Sequence, residues 1–355
     1  MALAVTVTLL YIVYLCVEKW MNDRCRASFQ HVIHVNGIRG KTSICRLIDA
    51  NLRHAGYKVF TKTTGSAASY IDVDGVEHSI RRLGPARIDE QIGIMRKAYK
   101  QNAEILIVEC MAIRPEMQEI SQKQIIKGDM CVISNVRYDH ILNMGMTLDE
   151  IADALSAVVP NNGVLFSADA NYQKKWQDLC EKNQSKFVHC DECGLNENQS
   201  IAYEVGRYLG IDKSSFIKSL PDVKKDFGTE EIYQLENGMR LINLFSVNDP
   251  MSTFMRMKEL NINPEKVTFV YNHRADRQDR LLLFALHFFN KIDCYKIYAC
   301  GQSAIFVERY LKKRGINCER VKHIEDAFNE ENQCYVGIGN IKGEAERFIR
   351  QMAQS

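Results

Sequence analysis

The chain has 355 residues, enough for two or three domains, with 46% apolar and 25% charged residues, the balance of a globular protein with a normal core. Net charge is only +2, which leaves no electrostatic footprint for nucleic acid at the level of the whole chain. No repeat, low-complexity tract or long Pro/Ser linker is visible.

The first 17 residues, MALAVTVTLLYIVYLCV, carry no charge, and Glu18, Lys19, Asp23, Arg24 and Arg26 come directly after them. With neither a basic start nor a small-residue cleavage site, the stretch reads as an uncleaved membrane helix at the short end of what spans a bilayer. Lys19, Arg24 and Arg26 then place the C-terminal side of that helix in the cytoplasm. A buried helix packed on a partner subunit is the alternative.

The stretch His34 to Ile48 organises the chain. An apolar run to Val35 predicts a strand, Gly37-Ile38-Arg39-Gly40-Lys41-Thr42-Ser43 a tight Gly-rich loop, and Ile44 to Leu52 a helix. Glycines let backbone N–H groups close around phosphate oxygens, and the helix N-terminus adds its positive dipole end. Lys41 would reach the β- and γ-phosphates of ATP, and Thr42 would offer its hydroxyl to Mg²⁺ or Mn²⁺. The first glycine is Gly37, so the loop is a shortened G-x-x-G-K-T-S form of the commoner phosphate loop.

Tyr57 to Phe60 predicts the next strand, and Thr63-Thr64-Gly65-Ser66 a polar loop at a strand end, either touching ligand or merely turning. Arg81 to Tyr99 opens as a basic Gly-Pro loop and continues as a helix. Ile105 to Val108 is a continuous apolar run, as in a buried parallel strand, with Glu109 at its carboxyl end in reach of a cation held by Thr42. Met130 to Ser134 repeats the pattern and leads to Asp139-His140, where His140 is a candidate metal ligand and Asp139 a partner for its other ring nitrogen.

Twelve cysteines are scattered, several in apolar runs such as those of Cys131 and Cys300, which fits a reducing compartment. Cys190-Asp-Glu-Cys193 beside His189 reads as a surface turn, half a zinc site or a redox pair; no second CxxC completes four ligands. From about Glu236 strands are expected at Leu241 to Phe245, Val267 to Tyr271, Cys294 to Ala299 and Tyr335 to Ile338, alternating with helices in a further parallel sheet. Asn272-His-Arg274-Ala-Asp276-Arg277-Gln-Asp279-Arg280 comes after the second of these, and arginines at a strand end suit bidentate carboxylate binding or plain surface ion pairs. Gly337-Ile-Gly339-Asn340-Ile-Lys-Gly343 could form a second backbone nest.

VNGIRGKTS, IVECMAIRPEMQEI, ISNVRYDHILNMGMTLDEIADAL and NHRADRQDR together resemble the ATP-dependent amide ligases of the Mur superfamily, most closely the ligase subunit of poly-γ-glutamate synthases, the CapB/PgsB family. The resemblance covers nearly the whole chain. It implies an α/β fold: a Mur-ligase-like phosphate-loop ATPase domain with a mostly parallel sheet (27–235), a smaller Rossmann-like C-terminal domain that binds the amino acid (236–355), and an N-terminal apolar helix (1–26). No room is expected before the loop for the UDP-sugar domain of peptidoglycan ligases. Carried over by position, Gly37, Gly40, Lys41, Thr42 and Ser43 would hold the ATP phosphates, Thr42, Glu109 and His140 the divalent cation, and Asn198 the adenine side. Asn248 would match the loop that opens the last domain, and Arg274, Asp276 and Arg277 would contact glutamate. Lys41, Glu109 and His140 would carry catalysis.

Two departures from the family pattern stand out. The helix Thr147 to Leu155 has no lysine that could be carbamylated to hold a second cation, and Pro221 to Gly228 replaces the interdomain Gly-Arg, with Lys224 or Lys225 as substitutes. No general base stands out among Asp139, His273 and Asp276. The resemblance further implies a multi-spanning membrane subunit and a surface-exposed subunit as partners, glutamate and poly-γ-glutamate as substrate and product, and catalytic domains on the cytoplasmic face of the cell membrane; self-association is left open. Rival readings are another Mur-type ligase such as a folylpolyglutamate synthase, a phosphate-loop ATPase energising a transporter, and a noncatalytic scaffold, which intact Lys41, Thr42, Glu109 and His140 oppose.

Overall fold

The computed structural model describes residues 1–65, 68–82, 84–224, 228, 232–235, 238–293, 296–328 and 334–352. They form two compact units, Met1–Val136 with Ala152–Lys224, and Arg137–Ile151 with Lys225–Ser355. The division falls at Lys224, and residues 137–151 group with the second unit.

The first unit is built on an eight-stranded sheet: β1 (His31–Asn36), β2 (Val59–Thr63), β3 (Ser69–Ile71), β4 (Glu77–Ser79), β5 (Ile105–Glu109), β6 (Met130–Ile133), β7 (Val164–Ser167) and β8 (Lys186–His189), in the order β4-β3-β2-β5-β1-β6-β7-β8. All neighbours are parallel except the β2–β3 and β3–β4 pairs. The apolar runs of β5 and β6 are explained by burial on both faces of the sheet, which also buries His34 and Asn36 of β1. The three-residue β3 and β4 were not expected, because strands this short and polar show no alternation to read.

Helix α1 (Ala2–Ala27) opens the chain, α2 (Lys41–His54) comes after the phosphate loop, and α3 (Glu90–Lys100) precedes β5. On one face of the sheet Ile44, Ile48 and Leu52 of α2 pack with Ile201 and Val205 of the helix Glu197–Tyr208. On the other, Cys25 and Phe29 pack with Ile94, Met95 and Ala98 of α3. Helix α1 is the one helix among the described residues long and apolar enough to cross a membrane, and residues 2–17 are exposed. Its last turns belong to the body: Asn22 Nδ2 donates to Ile125 O at 2.9 Å and Arg26 pairs with Asp129 at 2.7 Å.

The second unit holds a six-stranded sheet, β9 (Ile232–Gln234), β10 (Arg240–Asn243), β11 (Thr268–His273), β12 (Lys296–Gly301), β13 (Cys318–Arg320) and β14 (Cys334–Gly339), ordered β13-β12-β11-β14-β10-β9. It is parallel apart from β9 against β10. Tyr271, Phe284, Phe288 and Phe289 fill its core. Cys294, the expected start of a strand, lies outside the described residues, as do Ser66 and Lys225.

Fully buried His34 of β1 has Nδ1 at 2.9 Å from Gln122 Oε1, and burial lowers its pKa to about 4. The unfolded chain protonates this ring near pH 6.5, so stability conferred by the neutral ring is complete above 6.5 and is lost as pH falls through the folded value. His34→Gln is expected to recover about 2 kcal/mol of the stability lost between pH 7 and pH 4.5, read by urea unfolding at the two values. An unchanged acid loss would contradict this account.

Candidate active site

Strand β1 ends at Asn36 and α2 begins at Lys41, so four residues make the loop. Gly37 has φ +120°, and a Cβ there would lie 2.0 Å from Ser134 Oγ; Gly40 has φ +82°, and a Cβ would lie 2.4 Å from Asn198 Oδ1. Only glycine fits either position. Strand β6 runs into the residues that brace the loop: Ile38 N donates to Asn135 O at 3.1 Å, Arg39 N to Asn135 Oδ1 at 3.1 Å, and Ser134 Oγ to Arg39 O at 2.6 Å. Lys41 Nζ folds back on the loop, donating to Gly37 O at 2.7 Å and Ile38 O at 3.3 Å. No side chain caps α2 and no acidic residue occupies its first turn, which leaves its N-terminus open to an anion.

Across the sheet Val35 pairs with Glu109, so the carboxyl ends of β1 and β5 lie level. Glu109 is 3% exposed, and its Oε2 accepts from Thr42 Oγ1 at 2.9 Å and from Thr64 N at 2.6 Å. A hydroxyl and a carboxylate oxygen this close fit a hard cation that keeps other positions for water and phosphate. Among the described residues no three His, Cys, Asp or Glu gather to hold a metal, so a cation here depends on Thr42 and Glu109 together with its ligand's oxygens.

Lys62, which sequence reasoning missed, is fully buried on β2 with Nζ 3.1 Å from Glu90, and Glu90 also takes Arg82 at 2.6 Å. Burial lowers the Lys62 pKa, opposed by Glu90 and by Glu109. Gly37, Gly40, Lys41, Thr42, Ser43, Glu109 and Asn198 therefore all belong to the first unit's sheet edge or to the helices that line it.

A second cluster lies within the other unit. Asp139, 1% exposed, receives Arg277 and Arg280, each 3.3 Å from its Oδ2. Arg280, itself 3% exposed, also donates to Asn248 Oδ1 at 3.0 Å and to Asn340 Oδ1. The His140 ring lies against Arg277, with Nδ1 2.9 Å from its Nη1. Asp139 does not hold a ring nitrogen of His140 as expected, since the shortest approach is 3.8 Å; its Oδ1 accepts the backbone N–H of His140 instead. The reason is the pair of guanidinium groups, which claim the carboxylate first. The side chains of Arg274 and Asp276 bond to each other, at 2.6 and 3.0 Å, and Arg274 O accepts the backbone N–H of Arg277 at 3.1 Å.

Arg280 was quoted in its motif but not singled out; its helical spacing of three from Arg277, both turned toward Asp139, was the available signal. His273 is buried, which together with Arg280 lowers its pKa to about 4 and leaves a neutral ring at pH 7. In the stretch expected as a second nest, Asn272 Nδ2 donates to Asn340 O and Lys342 O, at 2.6 and 2.8 Å, and so fixes the turn after β14. Lys224 Nζ donates to Gly75 O at 3.0 Å. Cys190 is buried with its thiol pKa pushed up by burial, while Cys193 is exposed; both are free thiols.

This fold and loop define a class. Residues 35–220 match the Mur ligase middle domain, and solved structures of the class superpose on the chain: folylpolyglutamate synthase of Thermotoga maritima (15% identity, 98% of this chain and 96% of that one, TM-score 0.62) and the bifunctional folylpolyglutamate/dihydrofolate synthase of Yersinia pestis with AMPPNP and Mn ion (13%, 95% and 91%, TM-score 0.70). The chain is an ATP-dependent amide ligase of the Mur superfamily. Within that class residues 231–355 match the poly-gamma-glutamate synthase CapB C-terminal domain. The chain is 31% identical to PGA synthase CapB of Bacillus subtilis over 90% of its length and 89% of that protein's, and 30% identical to capsule biosynthesis protein CapB of Bacillus anthracis over 96% and 80%. It belongs to the CapB family of glutamate-polymerising ligases.

Removing Arg280 leaves a buried carboxylate short of a partner. Arg280→Met is expected to destabilise the second unit by about 3 kcal/mol, the scale of a broken buried pair, and Arg277→Met by less than half of that, measured by urea unfolding. Equal costs would show that Arg280 is not the centre of the cluster.

Proposed function

We propose that this chain extends poly-γ-glutamate by transferring the γ-phosphate of ATP to a terminal carboxylate of the polymer, and that the amine of an incoming glutamate then displaces phosphate. A carboxylate is a poor electrophile. Its phosphorylation breaks the β,γ-phosphoanhydride and gives an acyl phosphate and ADP; amine attack then forms the amide and releases phosphate and a proton. The observation that carries this reading is the buried Glu109 bonded to Thr42 at the mouth of an open phosphate loop. Lys41 would leave the loop carbonyls for the β- and γ-phosphate oxygens, and the N–H groups of Gly40 to Ser43 would hold the same anion. Thr42 and Glu109 would hold a divalent cation, joined by His140, whose ring Arg277 now covers. When bound, such a cation neutralises phosphate charge and polarises the phosphorus.

Asn198, on the helix behind Gly40, is assigned to the adenine side and Asn248 to the loop opening the last domain. Arg274, Asp276 and Arg277 are assigned to glutamate. Residues 27–235 would bind ATP and 236–355 the amino acid. Helix α1 would anchor the chain in the cell membrane with the catalytic units in the cytoplasm, since Lys19, Arg24 and Arg26 flank its C-terminal side. Its partners would be a multi-spanning membrane subunit and a surface-exposed subunit.

The test is incubation of membranes containing the protein and its partners with ATP, Mg²⁺ and radiolabelled glutamate. Acid-labile, protease-resistant polymer formed together with ADP is expected, and Lys41→Ala should lower its rate about 10²–10³-fold. ATP hydrolysis that ignores glutamate would favour a transport ATPase. Glutamate added to a folate in place of polymer would favour a folylpolyglutamate synthase.

A further inference from the structure

Lys62 is an ammonium with incomplete bonding. Its side chain is fully buried, and its polar contacts are Glu90 at 3.1 Å and the thioether of Met111 at 3.4 Å. An ammonium carries three donors, and a thioether sulfur is a weak acceptor. A methionine or leucine at this position would fill the same space without the cost of burying a charge so poorly served.

Glu90 is also shared. Arg82 donates to both of its oxygens, from Nε to Oε2 at 2.6 Å and from Nη2 to Oε1 at 3.0 Å. Two cations on one carboxylate leave the group of Lys62, Arg82 and Glu90 with a surplus positive charge, largely out of water. Lys62 follows Phe60 by two residues, so both side chains leave β2 on the face that α3 covers. Pairing of Lys62 with Val108 puts Glu109 one residue further along the same edge, with its carboxylate on the opposite face, where Thr42 begins to serve it. The ammonium and the nucleotide side of the edge are thus neighbours across the ends of β2 and β5. Met111, two residues beyond Glu109, touches the ammonium and is itself partly exposed. An unbranched thioether changes rotamer easily and gives up little when its weak bond is broken.

We propose that Lys62, assisted by Arg82, receives the α-carboxylate of the polymer's terminal glutamate once Met111 turns aside, and so leaves the γ-carboxylate for phosphorylation. The inference rests on the ligase reading above and adds the acceptor subsite to it. The terminal residue of a γ-linked chain has its amine acylated and two free carboxylates, separated by Cα and two methylenes. Held by its α-carboxylate on the α3 face, that residue reaches over the strand ends with its γ-carboxylate toward the phosphate loop. The surplus charge is neutralised by the substrate, and the choice of γ- over α-linkage follows from which carboxylate is held.

Membranes containing the full chain and its partners are given ATP, Mg²⁺ and radiolabelled glutamate with one of two acceptors. One is a short γ-linked glutamate oligomer, the other the same oligomer with its terminal α-carboxylate converted to an amide. The parent chain is expected to favour the acid by about 10- to 100-fold in kcat/KM, the worth of a hydrogen bond or two to a charged group. Lys62→Met is expected to bring that ratio close to one, chiefly by raising the KM for the acid acceptor, with the KM for ATP unchanged. A ratio as large as the parent's, a rise confined to the KM for ATP, or a parent chain that does not discriminate overturns the assignment and leaves the ligase reading standing. A parent chain that extends neither acceptor overturns both. If Lys62→Met no longer binds ATP, Arg82→Gln at its partly exposed position decides: a ratio lowered several-fold supports the subsite, and an unchanged ratio overturns it.

Discussion

Burying the carboxylate of Glu109 at the end of a central strand is the constraint on which the first unit turns. An ionised carboxylate out of water costs several kcal/mol unless donors surround it. The sheet supplies them: pairing of Val35 with Glu109 sets β5 level with β1, which brings the first turn of α2 and its Thr42 hydroxyl onto Oε2. Pairing of Lys62 with Val108 sets β2 level as well, which brings the N–H of Thr64 to the same oxygen. A slip of β5 by one residue against both neighbours would turn the glutamate side chain to the other face and strand both donors. The same register buries the Lys62 ammonium near Glu109, whose negative charge, with that of Glu90, opposes the lowering of the Lys62 pKa by burial.

The second unit solves a similar problem with the signs exchanged. Here the buried group is the Arg280 guanidinium, and its acceptors come from three separate stretches: Asp139, Asn248, and Gly339 with Asn340. A planar fork of five donors suits convergent acceptors that a lysine could not all reach. One side chain thus ties residues 137–151, the start of the helix Pro250–Glu259 and the turn after β14 into one arrangement. Asn248 adopts φ +67°, a left-handed conformation that asparagine tolerates, while it takes part. Arg277 then has a preformed edge of Asp139 and His140 to lie on.

The legible parts were those written as local pattern. Glycines at 37 and 40 next to Lys41 and Thr42, after an apolar run, announce a strand, a phosphate loop and a helix without any long-range information. Glu109, at the end of ILIV, is legible for the same reason. Lys62 was not, because a lysine between Thr61 and Thr63 reads as the solvent side of a strand until the pairing with β5 and the arrival of Glu90 from 28 residues away bury it. The Asp139-His140 pair looked like a carboxylate orienting an imidazole, since adjacency is all a sequence displays; the claim of Arg277 and Arg280 on Asp139 spans about 140 residues. The β3–β4 hairpin failed to show for lack of any apolar alternation in Glu77-His78-Ser79.

Helix α1 shows how a single polar residue changes the meaning of an apolar run. Ending at Val17 with charges beyond it, the run describes a tether, and a tether would leave the catalytic body free to tumble beneath a membrane. Asn22, 4% exposed, makes a different molecule of it. Its amide bond to Ile125 O, with Asp23 on Lys127 and Arg26 on Asp129, fastens one side of the helix to the body within about 6 Å of helix length. Releasing the body from the helix requires breaking all three together with the packing of Cys25 and Phe29. The helix is a stalk and not a leash, so wherever its apolar end is buried, the direction of the sheet is set by the same bonds.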